Sequence, residues 1–429
     1  MLGKTNVTRL DGGCVVVTSR MDSVESFAFG IDAGVGSRHE KASCAGWCHF
    51  LEHLLFKGSR KRPSTRAVSE PIEGRGGSIN AYTAQDHTFF HALAPYDAAE
   101  LVVDTFGDMF SDPLVPAREV ERERGVVLEE MKMYHDDDAA MCADLAMQTL
   151  WPGHPLGRAI VGVPETLAAA DSASLLRFRH DMYRAAGTVV AAAGRLDHDR
   201  IVEMAAPFAA RLRGGPAVRP RRADPGAQTA PLLFDRRETQ QVQVAISFRS
   251  LTDSDPRRPA MAVLNHILGH GLTSRLFMSV RERRGLAYSI YSEGQTFSDT
   301  GSFHVFAGVN PAKSAAAVEL CGRELRRIAA AAPGKAEFKR AVNCLVGQVR
   351  LSCESSKRQL SWVLDRIRRL GRIETPEEVV AGLRAVTPDD VRAVAAWMFR
   401  PENATLALVM PREGCEDPEK HLSALRGAL

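Results

Sequence analysis

One pattern, present in both halves at a fixed offset, constrains this chain more than any other feature. In the first half an apolar run, Ser26 to Ala33, leads into a helical stretch carrying His49 and His53. In the second half the run Gln241 to Phe248 leads into a stretch carrying His266 and His270. Both histidine offsets are 217 (266 − 49 and 270 − 53). Near the end of each half an aromatic-Arg step precedes another apolar run. These are Tyr183-Arg184 before Thr188–Ala193 and Phe399-Arg400 before Thr405–Met410, an offset of 216 (399 − 183). Recurrence at one offset predicts duplication of a unit of about 210 residues. Between the copies, Gly214 to Pro231 holds three glycines and four prolines in 18 residues and cannot form a helix or a central strand. The expected domains are therefore residues 1–213 and 232–429, joined by a linker over 214–231, in a chain of 429 residues that one core would not serve.

Within a unit the strands precede the long helices. Gly77–Tyr82 and Thr88–Leu93 flank the polar turn Ala84-Gln85-Asp86-His87 and predict an antiparallel hairpin. Helical stretches follow at Pro95–Met109, Ala117–Tyr134 and Asp138–Leu150. The expected class is α+β, with two homologous domains that each pack an antiparallel sheet with helices.

Composition removes several classes of function. With 55 Lys and Arg against 52 Asp and Glu, the net charge of +3 favours no nucleic-acid partner. The basic cluster Arg219, Arg221 and Arg222 sits in the linker without aromatics and reads as a solvated segment. No window reaches the roughly 18–20 apolar residues of a membrane span, and the N-terminus has no apolar signal core, so a cytoplasmic protein without a membrane span is expected. Eight cysteines with no CxxC pair read as scattered free thiols. There is no GxxxxGK[ST] loop and no GxSxG elbow, and Gly34-Val35-Gly36 lacks the third glycine of a dinucleotide fingerprint.

The chemistry concentrates in His49-Phe50-Leu51-Glu52-His53. On a helix His49 and His53 are i and i+4, so both imidazoles leave one face and can share one ion. Glu52 lies beside the pair, placed to take a proton from a metal-activated water. The order H-x-x-E-H is the reverse of the commoner zinc motif. A third ligand is available on the stretch Glu119 to Met131, where Glu123 and Glu130 are seven apart and share a partly apolar face. Phe56-Lys57-Gly58 stops the first helix with a glycine. The strand Gly76 to Thr83, with Asn80 and Ala81 at its middle, offers an edge on which an extended peptide can be bound by strand addition.

The runs HFLEHLLFKGS, GGSINAYTAQDHT, ERERGVVLEEMKMY and TSRLFMSVRERRGLAYSIYS together resemble the pitrilysin family of zinc peptidases. Within it they look most like the branch of mitochondrial processing peptidase and its bacterial relatives of similar length. The resemblance spans about Leu10 to Met410. It implies one Zn²⁺ per chain held by His49, His53 and Glu130, the second glutamate of Glu129-Glu130. It implies Glu52 as general base and Glu123 as an acidic residue supporting the site. In the second half it implies substrate binding by Arg281 and Tyr288, and two such chains, identical or related, enclosing a chamber for peptides. The departures from the pattern are Cys48 where a small residue is usual, Gly125 inside the Glu123–Glu130 helix, and His266-Ile267-Leu268-Gly269-His270, which lacks the glutamate. Two readings compete: an active zinc endopeptidase, and a non-catalytic subunit that binds peptides or completes a partner. The intact set His49, Glu52, His53 and Glu130 favours the first.

Overall fold

The computed structural model describes residues 2–429. In the first unit, strands β1 (Lys4–Arg9), β2 (Val15–Arg20), β3 (Ser26–Asp32), β4 (Ser78–Thr83), β5 (Thr88–Pro95) and β6 (Val189–Gly194) form a sheet in the order β1-β2-β6-β3-β5-β4. In the second, β7 (Leu232–Arg237), β8 (Val242–Arg249), β9 (Ala287–Thr296), β10 (Gly301–Val309) and β11 (Thr405–Pro411) follow the order β7-β11-β8-β10-β9. Leaving out β1, the two orders are the same, element for element. The starts of β2 and β7 differ by 217 (232 − 15), and those of β6 and β11 by 216 (405 − 189). The duplication is thus a duplication of topology. Each sheet is antiparallel apart from one parallel pair, β2 with β6 and β7 with β11. The helices lie in the crossovers that such parallel neighbours require.

Period-2 alternation decides what each strand buries. In β3, Phe27, Phe29 and Ile31 enter a core shared with Phe50, Leu51, Leu54 and Leu55 of the helix Trp47–Leu55 and with Phe106 of the helix Ala99–Ser111. The Phe29 and Phe106 rings meet edge to face with centroids 5.8 Å apart. In β8, Val242, Val244, Ile246 and Phe248 enter the second core beside Leu264 and Leu268, while Ala245 joins a separate cluster with Cys142, Leu145 and Ala146.

That separate cluster marks a departure from two contiguous halves. The first unit comprises the chain up to Met131, Arg158–Arg221 and Arg350–Pro376; the second comprises Lys132–Gly157, Arg222–Val349 and Glu377–Leu429. The helix Asp138–Leu150, encoded in the first half, packs on β8 and β11 of the second unit. The helix Ser356–Leu370, encoded in the second half, packs on β2, β3 and β6 of the first. Their starts are offset by 218 (356 − 138), so the copies have exchanged equivalent helices. Specific hydrogen bonds fix both. Gln359 Oε1 accepts from Ser19 Oγ at 2.6 Å and from the Gly3 N–H at 2.9 Å. Thr149 and Thr405 hydroxyls meet at 2.7 Å, and the Arg249 guanidinium donates to the Leu150 carbonyl at 2.6 Å. The boundary read from the linker therefore needs two corrections, at these helices. An amphipathic helix announces that it buries a face, but not which sheet receives it. Residues 214–231 themselves contain no helix or strand.

Candidate metal centre

The helix Trp47–Leu55 has nine residues, too few to hold its shape without its surroundings. Its start is anchored by Glu40, a buried loop residue whose carboxylate accepts from the Gly46 N–H at 2.8 Å and the Cys48 N–H at 2.6 Å. These are two of the unsatisfied donors every helix start carries. Gly46 precedes the helix at φ +88°, where a Cβ would lie 2.5 Å from the Val161 carbonyl oxygen, so the turn requires glycine. Burial pushes the Glu40 carboxyl up to about 7 against those hydrogen bonds. Cys48 is fully buried, and burial followed by Glu40 drives its thiol far up. Its side chain faces Glu40, away from the histidine face, and behaves as a small core residue.

On the other face the His49 and His53 rings stand edge to face with centroids 4.7 Å apart. Glu130, from the helix Ala117–Asp136, meets both: Oε1 is 3.6 Å from His49 Nε2, and Oε2 is 3.5 Å from His53 Nε2. Donor atoms of the three residues all lie within 4.8 Å of one another, the one such cluster among the described residues. Ligands around a tetrahedral ion at 2.0–2.2 Å stand about 3.3–3.6 Å apart, so the donor set and its two Glu130–imidazole separations suit Zn²⁺. Burial, then His53, presses His49 down to about 4, which keeps its imidazole in the neutral form that ligates. Glu129 is exposed and takes no part in this cluster.

Glu123 is buried and does not share the Nε2 side. Its Oε2 lies 3.4 Å from His53 Nδ1, and its Oε1 pairs with Lys57 Nζ at 2.8 Å. A carboxylate on the far nitrogen of a ligating histidine fixes the ring and its tautomer. Glu123 thus stands where it can position the His53 ring, and Lys57, four residues beyond His53, balances its charge. Gly125 between the two glutamates has open space around its Cβ position, so the only cost is conformational, about 1 kcal/mol.

Glu52 is held by a residue the sequence reading passed over. Thr83, the last residue of β4, donates its hydroxyl to Glu52 Oε2 at 2.7 Å. Burial raises the Glu52 carboxyl above the usual range, Thr83 and His53 oppose that rise, and Glu130 adds to it. Alternation along β4 carries the signal: Thr83 shares a face with Ala81 and Ile79, which pack on the first core, whereas Asn80 and Tyr82 take the opposite face. Asn80 Oδ1 accepts the Ala81 N–H at 2.8 Å. Replacing Thr83 by Val removes the donor at nearly constant shape. We expect kcat on peptides to fall about tenfold with zinc content unchanged and with Thr83→Ser near wild type, since a hydrogen bond to a charged group is worth about 1.5–3 kcal/mol.

In the second unit Arg281 lies near the end of the π-helical turn Phe277–Glu282 and Tyr288 lies in β9. Gly285, at φ +58°, reverses the chain between them. The Arg281 guanidinium lies 5.6 Å from the centre of the Tyr288 ring and 5.0 Å from that of Phe277. The Tyr288 side chain is 74% exposed. The second histidine pair has rings 5.1 Å apart but different company. At the offset of the histidine pairs, Glu52 becomes Gly269, Glu123 becomes Arg340 and Glu130 becomes Gly347. Burial, His270 and then Arg340 hold His266 below the ordinary range, and His270 meets the Gln348 side chain at 3.1 Å. This copy has exchanged its acidic donors for a cation and two glycines.

Residues 15–163 match the insulinase family, peptidase family M16, and residues 169–345 match the peptidase M16 inactive domain. An uncharacterized zinc protease of Streptomyces coelicolor is 37% identical over 410 residues, covering 92% of this chain and 87% of that protein. The chain belongs to the M16 peptidase family. The zinc protease YmxG of Bacillus subtilis, also uncharacterized, is 31% identical across 93% of this chain and 96% of its own length. Among solved structures, a protease from Helicobacter pylori superposes with a TM-score of 0.87 at 20% identity, covering 96% of this chain and all of that one. A peptidase M16 inactive domain from Pseudomonas fluorescens gives 0.88 at 19%, covering 97% and 99%. These two likenesses establish the M16 two-domain fold. The inactive-domain match spans Gly269 and Arg340 and leaves residues 49–130 within the insulinase match. Among the described residues, no helix is long and apolar enough to cross a membrane.

Proposed function

We propose that this chain is a zinc-dependent endopeptidase of the mitochondrial processing peptidase-like branch, acting on peptides or unfolded polypeptides. One observation carries the reading: His49, His53 and Glu130 converge at ligand spacing on the same face as a carboxylate, Glu52, that is held in place by Thr83. When bound, Zn²⁺ supplies Lewis acidity toward a scissile carbonyl and lowers the pKa of water beside it. The remaining work falls to side chains. Glu52 accepts a proton and returns it to the leaving amine, its Oε2 fixed by Thr83. Glu123 holds His53 in register through Nδ1, with Lys57 balancing its charge. The free edge of β4, around Asn80 and Ala81, takes the peptide as an added strand. By resemblance we assign Arg281 and Tyr288 to substrate binding and expect a dimer, of this chain or with a related one. Eight unbonded cysteines suit a reducing compartment, and we place the protein in the cytoplasm.

The competing reading of a non-catalytic subunit draws on the inactive-domain match. That match, residues 169–345, includes Gly269 and Arg340 and none of Glu52, Glu123 and Glu130. The test uses the purified full chain, alone and with its oligomeric state measured. We expect about one zinc per chain, hydrolysis of a mixed peptide library, loss of hydrolysis in chelator and recovery on adding zinc. A zinc-loaded chain that cuts no peptide would favour the non-catalytic reading.

A further inference from the structure

The same unit contains a second concave feature on the opposite face of the β4–β5 hairpin. A cavity of about 650 Å³ lies between Tyr82 and His87 of the hairpin and the helix Ser356–Leu370. Its size is ordinary for a ligand site, but its charge is not. Five cations line it, Lys357, Arg358, Arg366, Arg368 and Arg369, against one carboxylate, Asp365. Asp365 meets Arg369 at 2.5 Å, Arg366 at 2.8 Å and Arg368 at 3.9 Å. Arg366 also reaches Glu374 at 3.8 Å and stacks 3.9 Å over the Trp362 ring. The field extends to the hairpin: burial, then Arg368 and Arg369, presses His87 down to about 3.

This cavity and the metal centre are tied to one strand. β4 has β5 as its single partner, and the Ala84 N–H to His87 carbonyl bond closes their hairpin. Counting from that closing pair, the alternating ladder turns the Ala81 N–H to the free edge, where Asn80 Oδ1 covers it. Thr83 leaves β4 toward Glu52, and Tyr82 leaves it toward the cavity. A peptide added at this edge continues the pleat, so its side chains alternate between the same two faces.

We propose that the cavity receives acidic side chains of the peptide substrate, so that Asp or Glu is preferred at the alternate positions whose side chains leave the metal-centre face. This rests on the peptidase reading and on strand addition at β4. Arginines in numbers match carboxylates geometrically as well as electrostatically.

The test compares two labelled ten-residue peptides that differ only in Glu against Gln at alternate positions. Cleavage is measured with the zinc-loaded protein, and binding with zinc-loaded Glu52→Gln. We expect the Glu peptide to be favoured about tenfold at low salt in both measurements, as a few partly exposed ion pairs supply, with the preference shrinking in high salt. The double change Lys357→Glu and Arg358→Glu, at two exposed positions, should bring the Glu-to-Gln ratio to one or below while zinc content and circular dichroism stay as in wild type. A wild-type ratio near one, or a ratio the double change leaves intact, would overturn the proposal. If the Glu peptide binds better but neither peptide is cut, the acidic site stands and the peptidase reading falls. If both are cut equally, the reverse holds.

Discussion

Glu52→Gln should leave about one zinc per chain and reduce peptide hydrolysis by about 10³-fold or more, within the range general-base catalysis supplies. The amide keeps the size of the carboxylate and can still accept from the Thr83 hydroxyl, so the rotamer survives. What it loses is the capacity to take a proton. The candidate metal donors His49, His53 and Glu130 are untouched, so zinc content and turnover should separate cleanly. Measuring both on one preparation decides the matter: full zinc with undiminished turnover removes Glu52 from the chemistry. Thr83→Val and Glu52→Gln should also be non-additive, because the first acts only through the second.

Glu130→Gln should cost zinc affinity by about a hundredfold or more, whereas Glu129→Gln should leave zinc in place. A carboxylate at 3.5 and 3.6 Å from two imidazole nitrogens would supply both charge and a donor to an ion between them, and an amide only a weak donor. Glu129 is one residue, or about 100° around the helix, from Glu130 and is exposed. Zinc content after dialysis against a competing chelator reads this directly. Loss with Glu129→Gln alone would overturn the assignment. Glu123→Gln should fall between the two, since it holds the far nitrogen of His53 and not the ion.

The histidine pair and its glutamate were legible because i, i+4 spacing has one geometric meaning on a helix. The third member of the cluster was legible only as a choice. Glu123 and Glu130 share a helix face, and nothing in their spacing says that one meets Nδ1 and the other Nε2 of His53. The helix expected from Pro95 begins at Ala99, because Pro95 closes β5 and Tyr96–Ala98 makes a 3₁₀ turn. Thr83 was hidden for a different reason. Its partner lies far off in the chain, so only the register of β4 against the first helix brings them together. The missing glutamate of the second copy was visible at Gly269, but Arg340 and Gly347 became interpretable once the helices Ala117–Asp136 and Lys335–Leu351 were seen to correspond.

The exchanged helices impose an order on synthesis. β6 completes the first sheet at Gly194, yet the helix that covers β2, β3 and β6 starts only at Ser356, an offset of 162 (356 − 194). At about 5–20 residues per second, that face waits roughly 8–30 seconds on the ribosome. During this time Ser19 and Ser26 lack Gln359 and Ser356. The second unit waits longer still, for β11 at Thr405. Neither copy can finish alone as it emerges, so a nascent chain carries the helix of His49 and His53 well before it carries two completed units.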